Sequence, residues 1–235
     1  IYIPDSVNQY LYCQNQPIDY IDLDGLSRED ARKYMEKYAT DEKSERNPDY
    51  PSFGTNCANY VSQSLAAGGV TPVKYKWFCT SDLNATKIEK AIYKLGSKEH
   101  QVIGHNVHYN DMDKDHDVLL SDTWNNANAQ YHYFSNSDNG YINGDVIEAH
   151  NTKEIKDALK KYDIQTGDLV YWSIEGEGYA NHATIISKVD ESNIYYAGNT
   201  SPRFDEQITD EKFKNYKSIY IVRLQDEMFD EKCLE

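Results

Sequence analysis

Two periodicities divide the chain. In "SREDARKYMEKYATDEK", residues 27–43, Ala31, Tyr34, Met35 and Tyr38 fall on one stripe at helical spacing, with Ser27 as N-cap and Glu29 and Asp30 in the first turn. A Pro-containing loop, "NPDYPSFG", leads into "FGTNCANYVSQSLAAGG". There Ala58, Val61 and Leu65 repeat the helical spacing, and Gly68-Gly69 predicts the C-terminal stop. Residues 82–95 predict another helix, and "TKEIKDALKKYDI" a further short one. After it the period shortens to two: "GDLVYWS", "HATIISKV", "NIYYAG" and "SIYIVRL" are strands separated by turn residues. Helices first and an antiparallel sheet afterwards predict an α+β domain.

The first 26 residues differ in texture. "IYIPDSVNQYLYCQNQPIDYIDLDGL" is rich in Tyr, Asn, Gln and Asp, has no Lys or Arg, and ends in a turn-forming "DLDG". Its short alternating pieces predict strands that need a larger sheet to pair with. A boundary at Leu26–Ser27 follows, dividing residues 1–26 from a domain over 27–235. The chain begins without Met, which reads as a piece of a longer protein.

Composition changes this picture in three ways. Hydrophobic residues are 39% of the 235, enough for a core to which the 21 tyrosines add rings with wet hydroxyls. The 39 acidic against 24 basic residues give a formal charge of −15, which argues against nucleic acid or an anionic membrane as partner. No run of about 18 apolar residues predicts a membrane span. The four cysteines (13, 57, 79 and 233) show neither a CxxC pair nor a metal-ligand spacing, so they read as free thiols and no cofactor is expected.

The cysteine that matters is Cys57. At a helix start, backbone N–H groups and the positive end of the dipole favour a thiolate. A nucleophilic cysteine also needs a base, usually His, and a group to orient it. His182 opens the strand "HATIISKV", and Asn199 follows the next strand. The start of one antiparallel strand lies beside the end of the next, so His182 and Asn199 are expected as neighbours, the Asn carbonyl accepting the imidazole N–H. The interval from Cys57 to His182 is a little under the roughly 130–150 residues of papain-type enzymes. Taken singly, Cys57 reads equally as a buried structural thiol, His182 as a strand-end histidine and Asn199 as a turn residue. Asn56 or Gln63 is the expected side-chain donor to an oxyanion, beside the Cys57 N–H.

"NPDYPSFGTNCANYVSQSLAAGG", "TWNNA", "TGDLVYW" and "NHATIIS" resemble the amidase-like domain family of bacterial secreted proteins, over about residues 30–223. The resemblance implies a papain-like or NlpC-like fold, a Cys-bearing helix packed on a small antiparallel sheet that carries His. It also implies Cys57 as nucleophile, His182 as base and Asn199 as orienter. The family usually has Asp before the cysteine, where this chain has Asn56. "NQYLYCQNQPIDYIDLDGL" resembles the end of an RHS repeat core, typically "NxYxYxxNxPxxxxDPxGL", with Leu23 in place of Pro. Such cores form a β-shell around a C-terminal toxin and release it by aspartyl-type self-cleavage after the Gly-Leu. That implies cleavage at Leu26–Ser27 with Asp22 as participant.

The reading is therefore a cysteine-dependent amide hydrolase, secreted or held at the cell surface and delivered to a target cell by an RHS carrier. It would act on a protein or on peptidoglycan peptide links and be met by a separate immunity protein. A glutamine deamidase or transglutaminase-like effector, and an inactive binding module of the same fold, remain as alternatives. Two weaker signals stand apart. "NDMDKDHDVLLSD" spaces Asp111, Asp113, Asp115, Asp117 and Asp122 like a Ca²⁺ loop but lacks its Gly and its final Glu. "GEGY" before Asn181 reads as a flexible turn that gates the site, and Trp77 and Trp124 as walls of a cleft or core.

Overall fold

A computed structural model describes residues 27–39, 46–50, 52–73, 76–80, 102–108 and 115–229. Residues 1–26, with the predicted self-cleavage residues Asp22 and Leu26, lie outside the described residues, as do the predicted helix 82–95 and Cys13 and Cys233.

The first helix, α1 (Arg28–Ala39), starts where its cap predicts. Ser27 Oγ accepts the Asp30 N–H at 3.3 Å and donates to the Asp30 carboxylate at 2.8 Å. Ala31, Met35 and Ala39 are buried, while Tyr34 and Tyr38 flank them. The second helix, α2 (Cys57–Ala67), departs from expectation. Every residue from Ala58 to Leu65 is buried, polar ones included, so the run is central and not amphipathic. Its polar side chains are tolerated because each finds a partner. Ser62 donates to Trp124 O and accepts from Trp77 Nε1 and Gln130 Nε2. Ser64 bonds back to Tyr60 O. At Gly68 a Cβ would come within 2.7 Å of Ala31 Cβ, so the glycine lets α1 and α2 approach.

The predicted strands β5 (Leu169–Ser173), β6 (His182–Val189), β7 (Ile194–Gly198) and β9 (Ser218–Val222) form one antiparallel sheet. The pattern missed β4 (Ile147–Ala149), which is too short to show a period, and β8 (Arg203–Gln207), a polar edge strand. Spatial order is β4-β9-β5-β6-β7-β8. One face, with Leu169, Tyr171, Ala183, Ile185 and Ala197, packs against α1, α2 and two helices missed in the sequence, α3 (Asp122–Asn125) and α4 (Ala127–Ser135). The other, with Val170, Trp172, Ile186 and Ile219, is covered by α5 (Thr152–Lys161). Helices on both sides of a mainly antiparallel sheet give the α+β class. Trp77 and Trp124, ring centroids 4.9 Å apart, are core residues.

A second, three-stranded sheet joins β1 (Cys79–Thr80), β3 (Asp115–Ser121) and β2 (Val102–His108). Of the residues spaced like a Ca²⁺ loop, Asp111 and Asp113 lie outside the described residues. From Asp115 onward the backbone is an extended strand paired residue by residue with β2, whereas such a loop must coil around its ion.

The start of the domain is tied to its sheet by one guanidinium. Arg28 donates to the Thr166 and Leu224 carbonyls at 2.8 and 2.7 Å and to the Asp168 carboxylate at 3.0 Å. Asp168 is 1% exposed and also accepts the N–H groups of Gln165 and Leu224. Burial pushes its carboxyl up to about 6, against the pull of Arg28 and those two N–H groups. Arg28→Ala is expected to lower unfolding stability by about 3 kcal/mol in urea titration, because it leaves a buried carboxylate unpaired. Arg28→Ala combined with Asp168→Asn is expected to recover part of that loss.

Candidate functional site

Cys57 is the first residue of α2, and the residue before it determines how that helix end is held. Asn56 stands at the N-cap position but makes no side-chain cap bond. Its amide is spent on tertiary contacts instead. Asn56 Nδ2 donates to Asn199 Oδ1 at 2.8 Å, and Asn56 Oδ1 accepts from the Phe53 N–H at 3.2 Å and from Asn59 Nδ2 at 2.8 Å. The Asn56 backbone N–H donates to Thr200 Oγ1 at 3.1 Å. Asn59 Oδ1 in turn accepts from Trp124 Nε1 at 2.9 Å. The residue preceding the cysteine is therefore bonded to both Asn199 and Thr200, the two residues that follow β7.

The sheet sets the histidine strand next to β7. Ile185 pairs with Ala197, and a Cβ added to Gly198 would lie 3.5 Å from Thr184 Cγ2, so the end of β7 lies beside the start of β6, which His182 opens. The turn after β7 thus holds the Cys57 helix end and continues from the strand that neighbours β6. On its other side His182 pairs with Trp172, whose ring lies 5.1 Å from that of Tyr216. Cys57 and His182 are both partly exposed. Among the described residues neither forms a side-chain hydrogen bond. Catalytic hydrogen bonds commonly tighten only when a substrate is bound.

Burial first, and then the charge of Arg203, holds the His182 imidazole down at about 4. At neutral pH the ring is therefore uncharged and able to accept a proton. Burial, and then Cys57 itself, raises the Tyr216 hydroxyl, which Lys212 and Arg203 pull the other way. Cys57, His182, Arg203 and Tyr216 thus share one electrostatic neighbourhood.

The other predicted residues are placed as follows. Asn199 is 3% exposed and lies beside the site, but its Oδ1 is taken by Asn56, its backbone carbonyl accepts from Arg46 Nη2 at 3.4 Å, and its Nδ2 has no partner. The acceptor role toward imidazole that the spacing predicts is not the bonding present. Asn56 is 1% exposed, with its Nδ2 donating to Asn199 and its oxygen accepting twice, so its bonding here is that of a brace. Gln63 lies six residues along α2, roughly 9 Å of rise from Cys57, with its Oε1 accepting from Tyr34 on α1 at 2.6 Å. It joins α1 to α2 and stands away from the cysteine. Ser27 caps α1.

Sequence reasoning missed Thr200, Asn59 and Arg46. "GNTSP" gave only a turn signal, and the partners of a turn hydroxyl are set by what folds against it. The "GEGY" turn is pinned, not loose. Gly178 N–H donates to Tyr220 Oη at 2.8 Å, Asn181 Oδ1 accepts the Ile174 N–H at 2.7 Å, and Asn128 Oδ1 accepts the Ala180 N–H at 3.1 Å.

Two outcomes follow from this geometry. Asn56→Ala strips partners from the Phe53 N–H, Asn59 Nδ2 and Asn199 Oδ1, and is expected to cost roughly 2–3 kcal/mol of stability, read by urea unfolding. For His182, the unfolded chain takes up the proton near 6.5 and the folded chain only near 4. Between those values the unfolded state binds more protons, so stability falls as pH drops from about 6.5 toward 4. His182→Gln is expected to flatten that part of the stability profile, compared by denaturant midpoints at pH 7 and pH 5.

Comparison with known proteins adds one finding. Residues 25–222 match the family described as "Putative amidase domain". No curated protein and no solved structure matches the chain. Since the match spans most of the 235 residues and takes in the cysteine helix and the whole of the main sheet, the protein belongs to this putative amidase domain family, whose description points to amide hydrolysis.

Proposed function

We propose that the protein is a papain-like cysteine amide hydrolase with Cys57 as nucleophile and His182 as base. The observation that carries this reading is the bonding of Asn56 to Asn199 and Thr200, which couples the cysteine helix to the turn beside the histidine strand. His182, uncharged at rest, takes the Cys57 proton as sulfur attacks the amide carbonyl and the S–C bond forms. The oxyanion is met by the Cys57 backbone N–H at the head of α2, an end left without a side-chain cap. His182 returns the proton to the leaving amine as the C–N bond breaks. It then activates water, which releases the acyl group as a carboxylate and restores the thiol. Asn199 contributes by holding the turn against Asn56, a positioning role.

The resemblance of residues 1–26 to the end of an RHS core supports a setting in which this domain is a toxin freed at Leu26–Ser27 and delivered to a competing cell. The fit of Arg28 into the sheet supports α1 as part of the freed domain. In that setting the substrate is a protein amide or a peptidoglycan peptide link, and an immunity protein protects the producer.

Growth of bacteria producing residues 27–235, either retained in the cytoplasm or exported, each beside Cys57→Ala, tests this reading. Arrest that requires export and is abolished by Cys57→Ala is the expected result for cell-wall amide cleavage. Cysteine-dependent arrest from the cytoplasm points to a protein target instead. Toxicity unchanged in Cys57→Ala overturns the mechanism.

A further inference from the structure

The net charge of the chain and the charge beside its candidate site have opposite signs. Over the whole sequence acids outnumber bases, 39 to 24. About the turn that joins β7 to β8 the order is reversed. Arg203 pairs with Gly198 across that turn, immediately before Asn199. Its guanidinium binds Glu206, but Lys212 binds the same carboxylate through its other oxygen, so two cations share one anion. The Arg203 side chain remains 40% exposed and is free to meet a solute. On the other side of the turn Arg46 donates to Ser52 Oγ, to the Phe53 carbonyl and, at 3.4 Å, to the Asn199 carbonyl. All of these acceptors are neutral, and Arg46 has no carboxylate partner among the described residues. Asn199 Nδ2, between these groups in sequence and buried, is a further donor with no acceptor. Arg203, Lys212 and Arg46, with Glu206 as their one carboxylate partner, and the orphaned Asn199 N–H therefore lie about the turn that also holds the Cys57 helix end, while Asp205 on the same strand is paired with Arg32.

A partly desolvated cation that shares its carboxylate, or has none, keeps an affinity for an anion that can offset the lost hydration. We propose that the β7–β8 turn, with Arg203 as its exposed member and Lys212 and Arg46 beside it, is an anion subsite, so that the substrate is an amide with a carboxylate close to the bond that is cut. This rests on Cys57 being the reacting residue of the proposed function and adds the substrate class to it. Acidic or carboxyl-terminal peptides fit such a subsite, whereas neutral glutamine side chains within a basic segment do not.

The test uses the thiol itself and needs no known substrate. The full chain is treated in parallel with iodoacetate, an anion, and iodoacetamide, its neutral analogue. Each forms an S–C bond to the Cys57 thiolate with loss of iodide. Modification of the Cys57 peptide is followed by mass spectrometry, and the iodoacetate-to-iodoacetamide rate ratio is compared with the ratio for the same peptide in the urea-unfolded chain. The expected ratio is roughly five- to tenfold higher in the folded protein and falls with added salt. Arg203→Gln is expected to bring it down toward the unfolded value, and Arg203→Lys, which keeps the charge, to restore it. Lys212→Gln provides a second reduction should Arg203→Gln not fold. A folded ratio equal to or below the unfolded one overturns the subsite and leaves Cys57 as nucleophile untouched. A Cys57 that reacts with neither reagent overturns the cysteine mechanism, and the subsite falls with it.

Discussion

The bond from Asn56 Nδ2 to Asn199 Oδ1 is the contact on which the candidate site depends. It is a buried amide-to-amide bond with no charge on either side, and Asn56 is locked in orientation by two donors to its oxygen. The Phe53 N–H can only donate, so it fixes Asn56 Oδ1 toward itself and Nδ2 toward Asn199. That in turn fixes Asn199 Oδ1 toward Asn56. The chain of constraints continues through Asn59 to Trp124 and so reaches α3. Each link is short, buried and polar, which makes the arrangement costly to leave half satisfied and therefore well specified.

The same relay explains why α2 departs from an ordinary surface helix. A helix that must present its first turn to a sheet end while being enclosed on its other sides has no solvent face, so its polar residues become internal joints. Ser62 joins three elements and Gln63 joins α1. Leaving Asn56 off the cap removes roughly 1 kcal/mol of helix stabilisation. It also leaves the first-turn N–H groups beside Cys57 for chemistry, which is the usual compromise between stability and a functional site.

Electrostatics gives the site its second character. The chain is acidic overall while this turn is cation-rich, and the neutral His182 owes its low affinity for protons first to burial and then to Arg203. A group that serves to attract a carboxylate therefore also keeps the base uncharged. Charge at the β7–β8 turn and proton affinity at His182 are coupled through the same guanidinium.

Much of the architecture was legible along the chain. Ser27 with Asp30, the stripe of α1, the start of α2 at Cys57 and four of the six strands of the main sheet all follow from local rules of capping and periodicity, because those rules depend on near neighbours only. Cys57 at a helix start and His182 at a strand start were legible too, since both positions are local features. The roles of the three carboxamides were not. Asn56, Asn199 and Gln63 each read as a polar group able to face the chemistry, yet their partners are Asn199, Asn56 and Tyr34, residues 143, 143 and 29 positions away. An amide has two donors and an acceptor and no preferred partner, so its role is decided only by what the tertiary fold brings within about 3 Å of it. Periodicity chose the elements, and the packing of α2 into the end of the sheet decided which polar atoms were left to act.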